Sequence, residues 1–320
     1  MLMKPKLLKL LEGFKQKKIL VIGDVMLDAY IFGGVTRVSP EAPVQVVRVE
    51  KEAFIPGGAA NVASNVASLG GQVFVAGVVG NDGAGVSLTN GMLKRRIDTH
   101  CIVQDASKPT TKKTRIMAQN QQLIRFDHEM DTYLTADVEK LLLDKISPLL
   151  KDIDAIIVSD YAKGVITENV LKSIKELTDA PIIVDPKPKH AAWYAGARLI
   201  TPNMKEAEEM AAGKSEMDAI GEHLVSTLGS DVLITMGERG MGLFQADGVK
   251  SEIPTKAKEV YDVSGAGDTV VATMALAISA GATMEDAALL ANHAAGIVVG
   301  KIGTSSCSHD HLKEEIEHAY

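Results

Sequence analysis

Residues 262–270 read DVSGAGDTV, and the apolar run VVATMALAISA (270–280) overlaps its end. Ser264, Gly265, Ala266 and Gly267 therefore stand just before a long helix. Small residues there leave successive backbone N–H groups bare, where the helix dipole favours negative charge. Asp268 falls in the first turn. A carboxylate in that place can take a proton from an attacking hydroxyl while the amides hold the group in transfer. The same residues also suit a tight turn with Asp268 as a helix-start acid, so the flanking chain has to decide.

Working outward, six segments are rich in Val and Ile and lack polar alternation: KILVIGD (18–24), QVFVAGVV (72–79), DAIIVSD (154–160), PIIVD (181–185), RLITP (198–202) and DVLITM (231–236). Such runs fit a parallel sheet covered on both faces. Helical patterns lie between most of them, near 59–69, 84–96, 135–150, 167–177, 204–211 and 216–228. Two more, 265–280 and 284–300, follow. This order predicts an α/β fold with a doubly wound, mostly parallel sheet flanked by helices. Asp247-Gly248 inside 242–254 signals a hairpin. Residues 29–51 and 111–127 show strand-like or polar alternation with no crossover helix. We expect one domain over 1–320, with a small β-sheet lid inserted from about 29–51 and 100–127.

Composition narrows the function. The chain has 320 residues, a net charge of −7 and 4% aromatics, which argues against nucleic-acid and anionic-membrane partners. No segment approaches a membrane span, and the basic N-terminus is broken by charges, unlike a secretory leader. Cys101 and Cys307 lack metal-type spacing, so free thiols and a cytoplasmic setting are expected.

Ligands of open α/β sheets bind beyond the carboxyl ends of the strands. Asp24, Asp28, Gly57, Gly58, Asn61, Asp160, Asp185, Lys187, Asn203, Glu206, Gly237 and Gly240 all cluster at such ends. Two familiar phosphate motifs fail. AAGKS (211–215) would need a glycine at position 208, which is Glu208, and GAGDTV lacks the third glycine of a dinucleotide fingerprint. SHDH (308–311) places adjacent residues that rarely converge on one metal ion, and His293 reads as a packing residue.

PGGAANVASNVASLGG (56–71) and DVSGAGDT (262–269) resemble the two hallmark segments of the ribokinase-like (PfkB) carbohydrate kinase family. TPNMKEAE (201–208) and ITMGERGMGLF (234–244) resemble two further family segments, and the likeness extends over the whole chain. The resemblance implies an ATP- and Mg²⁺-dependent sugar kinase, with a monovalent cation left open. It makes Asp268 the catalytic base and Gly265, Ala266 and Gly267 the anion hole. It gives Asn203 and Glu206 a hold on Mg²⁺ through water. Thr235, Gly237, Gly240 and Lys187 would border the nucleotide, with Asn292 and Gly303 near adenine. Gly57, Gly58, Asn61, Asp24 and Asp28 would receive the sugar.

GDVMLDAYIFGGVTRVSPEAPVQVV (23–47), QQLIRFD (121–127), SDYAKGV (159–165) and VDPK (184–187) resemble the branch of the family that acts on D-glycero-D-manno-heptose 7-phosphate. That implies phosphorylation of the anomeric hydroxyl to the 1,7-bisphosphate, for lipopolysaccharide core synthesis. A phosphosugar needs a cationic clamp, for which Arg37, Lys112, Lys113, Arg115, Arg125 and Lys163 are candidates. Lys112 and Lys113 also suit a solvated charge run. The chain ends soon after GKIGTSS, so no nucleotidyltransferase domain is expected. Open lid edges and the family habit imply a homodimer through the lid. Other kinases of the family, and a non-catalytic sugar sensor on the same fold, remain alternatives.

Overall fold

The computed structural model describes residues 3–119, 121–256, 265–300 and 306–319. Among these the strands are β1 (Lys18–Gly23), β2 (Val25–Val38), β3 (Gln45–Gly58), β4 (Gln72–Gly80), β5 (Asp98–Asp105), β6 (Lys112–Ala118), β7 (Gln121–His128), β8 (Ala155–Ser159), β9 (Ile182–Asp185), β10 (Leu199–Ile200), β11 (Asp231–Thr235), β12 (Met241–Phe244) and β13 (Lys250–Ile253). The helices are α1 (Met3–Gly13), α2 (Ala59–Ser68), α3 (Gly83–Leu93), α4 (Ala136–Ile146), α5 (Glu168–Leu177), α6 (Met204–Met210), α7 (Met217–Leu228), α8 (Ala266–Ser279), α9 (Met284–Val299) and α10 (His309–Ala319).

Nine strands form one sheet in the order β13-β12-β11-β10-β9-β8-β1-β4-β5. It is parallel except for the β11-β12-β13 meander. Its central strands are apolar throughout because each serves two cores. Ile19 and Val21 of β1 join Val62, Val66, Val271, Leu276 and Leu290 of α2, α8 and α9. Leu20 and Ile22, pointing the other way, join Leu142, Val170, Ile174 and Leu224 of α4, α5 and α7. Thr135, Thr167 and Thr283 begin α4, α5 and α9, their hydroxyls accepting from the amides of Val138, Val170 and Asp286. Helix α8 is buried continuously from Asp268 to Ala277, which accounts for its unbroken apolar sequence.

A second sheet has the order β3-β2-β6-β7. It differs from the expected lid at both ends. Residues 98–105 are not part of it: β5 pairs with β4 as the parallel edge of the larger sheet. Its half-buried alternation imitates a lid strand because an edge strand has one open side. Conversely, β2 and β3 pair from Val25↔Gly58 outward, so the second sheet is rooted directly in the crevice. β10 is shorter than the expected 198–202, because Pro202 has no N–H for a ladder.

Candidate active site

α8 starts with Gly265 as its N-cap, in the left-handed region at φ 81°. The first intrahelical bond runs from the Thr269 amide to the Gly265 carbonyl at 3.0 Å. The amides of Ala266, Gly267 and Asp268 therefore fall in the turn for which a helix has no internal acceptors. Gly267 is exposed, and a Cβ built on it would meet nothing within 4 Å. At Gly267 the first turn therefore has room on its side-chain face and is not covered there by packed side chains.

Asp268 points the other way and is 7% exposed. Its Oδ2 accepts from Asn61 Nδ2 at 2.5 Å and its Oδ1 from the Tyr161 hydroxyl at 2.8 Å. The next residue's hydroxyl, that of Thr269, donates to Asn65 Oδ1 at 2.9 Å, and Asn65, one turn beyond Asn61 on α2, donates from Nδ2 to the Asn61 carbonyl at 3.0 Å. A buried polar ladder thus locks α2 to α8. Burial raises the pKa of Asp268 above the ordinary carboxylate value, against the lowering effect of Asn61 and Tyr161. A raised value suits a base working near neutrality.

The two acids proposed for sugar hydroxyls have separate fates. Asp24 is turned to the backbone: its carboxylate accepts from the amides of Tyr161 (2.8 Å), Lys163 (3.0 Å) and Val165 (3.0 Å). These three bonds hold the turn that follows β8. Asp28 lies on β2, with Arg115 Nη1 2.5 Å from its Oδ1. Gly57 is needed beside it, since a Cβ there would collide with the Asp28 carboxylate. Gly58 follows as the N-cap of α2.

Strand register settles which lid cations share a face. Tyr30 pairs with Arg115 and Arg115 with Arg125, while Asp28 pairs with Lys113. Asp28, Tyr30, Lys113, Arg115 and Arg125 thus line one side. Arg115 also lies over the Tyr30 ring. Arg125 is exposed and paired with Asp127 at 2.8 Å. The Lys163 ammonium is matched by Glu129 (2.8 Å) and Asp131 (3.0 Å), so its charge is already spent. Lys113 is more than the solvated residue its sequence allowed. It is half-buried, its ammonium lies 5.9 Å from the Tyr161 ring centroid, and burial lowers its pKa despite Asp28.

At the other end, Asn203 and Glu206 form a capping box on α6: Glu206 N–H donates to Asn203 Oδ1, and Asn203 N–H to Glu206 Oε2. Lys187 pairs with Glu206 Oε1, and Thr235 bridges to Asn203. Gly237 and Gly240 bound the turn from β11 to β12. Gly240 has φ 90° and backs onto the Ile253 carbonyl, where a side chain would not fit. Asp185 sits between these groups and Asp268; burial, then Asp268 and Glu206, push its pKa well up. Asn292 is 3% exposed and donates to the Pro254 carbonyl at 2.7 Å, a packing link. Gly303 lies outside the described residues.

Among the described residues no group of three or more His, Cys, Asp or Glu could hold a metal ion. The crowded negative charge of Asp185, Glu206 and Asp268 nevertheless suits a divalent cation that arrives on phosphates and keeps its water. Sequence reasoning missed Tyr161. Its signal was an aromatic residue beside a strand-end acid and two residues before Lys163-Gly164.

A profile described as pfkB family carbohydrate kinase matches residues 16–311. The chain belongs to this family. Curated relatives of this pfkB-family chain include the bifunctional protein HldE of Citrifermentans bemidjiense, 43% identical over 94% of this chain and 63% of that protein. HldE of Shewanella sediminis is 45% identical over 93% and 63%. The chain thus spans a little under two thirds of these curated relatives. Among solved structures, Arabidopsis thaliana ribokinase complexed with ribose and ATP has a TM-score of 0.74 at 18% identity, covering 94% of this chain and 99% of that one. Escherichia coli phosphofructokinase-2 in complex with potassium has a TM-score of 0.76 at 17% identity, covering 94% and 98%. Those two show the ribokinase-like fold of the pfkB family.

Proposed function

We propose that this chain transfers the γ-phosphoryl group of ATP to the anomeric hydroxyl of D-glycero-D-manno-heptose 7-phosphate, giving the 1,7-bisphosphate for lipopolysaccharide core synthesis. The observation that carries a kinase reading is the tip of α8, where first-turn amides without acceptors inside the helix stand beside a buried carboxylate with a raised pKa. Asp268 takes the proton of the sugar hydroxyl. The hydroxyl oxygen bonds to the γ-phosphorus, and the bond from that phosphorus to the bridging oxygen breaks, its electron pair leaving with ADP. The amides around Gly265–Gly267 meet the charge on the moving group, so catalysis is mainly positioning and charge stabilisation. Mg²⁺, when bound, neutralises charge on the phosphates, and Asn203 and Glu206 would hold it through water.

The phosphosugar reading rests on Arg115 and Lys113, which face the same crevice as Asp28. The heptose reading rests on the sequence likeness of 23–47, 121–127, 159–165 and 184–187 to that branch and agrees with the HldE relatives. We place the enzyme in the cytoplasm; no helix of the described residues is long and apolar enough to cross a membrane. ADP release measured with heptose 7-phosphate, fructose 6-phosphate and ribose tests the assignment. The highest kcat/KM is expected for heptose 7-phosphate. Preference for unphosphorylated ribose would remove the clamp, and preference for fructose 6-phosphate would remove the heptose.

A further inference from the structure

The turn after β8, residues 160–165, is held more firmly than a strand-to-helix connection requires. Asp24, 2% exposed, accepts from three of its amides. Asp160, 1% exposed, accepts from a fourth, that of Ala162 at 2.7 Å. Ala162 is left-handed at φ 58°, a costly conformation for a residue with a Cβ. Asp160 is held in turn by His190 Nδ1 at 2.6 Å and by the Tyr194 hydroxyl at 2.7 Å. Two buried carboxylates carry a desolvation cost that an ordinary turn would not need.

What this turn presents is Tyr161. Its hydroxyl donates to Asp268 Oδ1 while Asn61 holds Oδ2. Its ring has the Lys187 ammonium 5.6 Å and the Lys113 ammonium 5.9 Å from its centroid, one from the nucleotide side and one from the second sheet. A carboxylate held at one oxygen can swing about its Cβ–Cγ bond, whereas one held at both cannot. Each oxygen still keeps a second lone pair for an incoming hydroxyl.

We propose that Tyr161 is a positioning residue for the phosphoryl-transfer base: its hydroxyl, together with Asn61, fixes the Asp268 carboxylate in the orientation that meets the sugar hydroxyl. This rests on the reading of Asp268 as the base. Tyr161 keeps its own proton throughout, because burial, with Asp268 and Asp185 beside it, suppresses its ionisation. The groups facing Asp268 are Asn61 from α2, Tyr161 from this turn, Asp28 from β2, Asp185 from β9 and Lys187 just beyond it. Burial and Asp28 raise its pKa; Asn61, Tyr161 and Lys187 lower it. Activity needs the carboxylate ionised and is lost as pH falls through its pKa. Without the phenol that loss begins at higher pH.

The test compares Tyr161→Phe and Asp268→Asn with the parent by ADP release from heptose 7-phosphate and ATP across pH, with thermal unfolding as the control for folding. Phenylalanine keeps the ring and removes only the hydroxyl. In Tyr161→Phe we expect kcat to fall about ten- to a hundredfold, the range for a hydrogen bond to a charged group. KM for ATP stays unchanged, the acid limb of the kcat profile moves to higher pH, and unfolding remains cooperative. Parent-like kcat in Tyr161→Phe, with Asp268→Asn inactive, would overturn the role of Tyr161 and leave the base intact. A fall in kcat with an unmoved acid limb would overturn it too, since the hydroxyl would then act elsewhere. Turnover retained in Asp268→Asn would overturn the base reading itself.

Discussion

The side chains of Asn61 and Tyr161 bond to the Asp268 carboxylate, and those of Thr269 and Asn65 bond to each other, with Asn65 also bonded to the α2 backbone, all inside the protein. On the four-stranded sheet, all eight residues of β7 are exposed, and Arg125 finds its partner on its own strand. The first region lies between two helices packed on the large sheet and is held by buried hydrogen bonds on top of apolar contacts. The second has two open edges and one strand with no cover. On the proposed reading, chemistry that needs a fixed carboxylate would sit on the rigid side, and cations that could meet a substrate phosphate on the open one. The boundary between them is narrow: Asp24 alone separates β1 of the large sheet from β2 of the small one.

If the rigid side carries the chemistry, its central substitution has the largest effect. Asp268→Asn should lower kcat by about three powers of ten or more, the upper range for loss of a general base. ATP affinity by calorimetry should be retained, because the α8 amides and the Lys187–Glu206 end are untouched. An equal loss of ATP affinity would mean that the carboxylate organises the nucleotide, and the division between the regions would dissolve.

Arg115→Met probes the join. Arg115 and Asp28 are 20% and 7% exposed at the side chain, so removing the guanidinium strands a buried carboxylate, at about 3 kcal/mol of stability. KM for the phosphosugar should rise about a hundredfold, with kcat changed much less. The double variant Arg115→Met/Asp28→Asn should recover most of the stability and little of the KM. Recovery of both would make the pair a structural tie with no part in binding. Arg125→Met, exposed and salt-bridged only along its strand, should cost less than about 1 kcal/mol.

The same contrast explains what could be read beforehand. The buried strands and helices of the large sheet were legible because their apolar runs are set by two flanking cores, as in β1, β8 and β11. Asp268 and Asn61 stood out through their glycine- and alanine-rich surroundings. Asp24 and Asp28 could not be separated, since both follow the first strand. Only the fold shows one turned to the 161–165 amides and the other to Arg115. Lys112 and Lys113 are adjacent, yet a strand sends them to opposite faces, one over Phe54 and the other over Tyr161. β5 was misassigned because an edge strand and a lid strand share a half-exposed pattern. Tyr161 escaped because its role is made by tertiary contact with Asp268, more than a hundred residues away.

The smallest effect on the chemistry is expected at the outer face of the small sheet. Across its strands Phe54, Ala29, Thr114 and Phe126 lie in one row, and Glu52, Ile31, Ile116 and Ile124 in the next. Phe54, Ile124 and Phe126 are exposed by 47%, 54% and 52%. An apolar face bordered by open edges invites cover, and we propose that a second copy of the chain supplies it. Light scattering of the parent should then give a dimer, and Phe126→Glu should shift the mass to that of one chain. Each protomer should change in stability by less than about 0.5 kcal/mol, because the residue is solvated when alone. Turnover per chain should stay close to that of the parent if Asp268 and its partners come from one protomer, as the hydrogen bonds from Asn61 and Tyr161 require. A parent that is monomeric at assay concentration would remove the second copy. A Phe126→Glu monomer with no turnover would show instead that the open region lends the rigid one something across the interface.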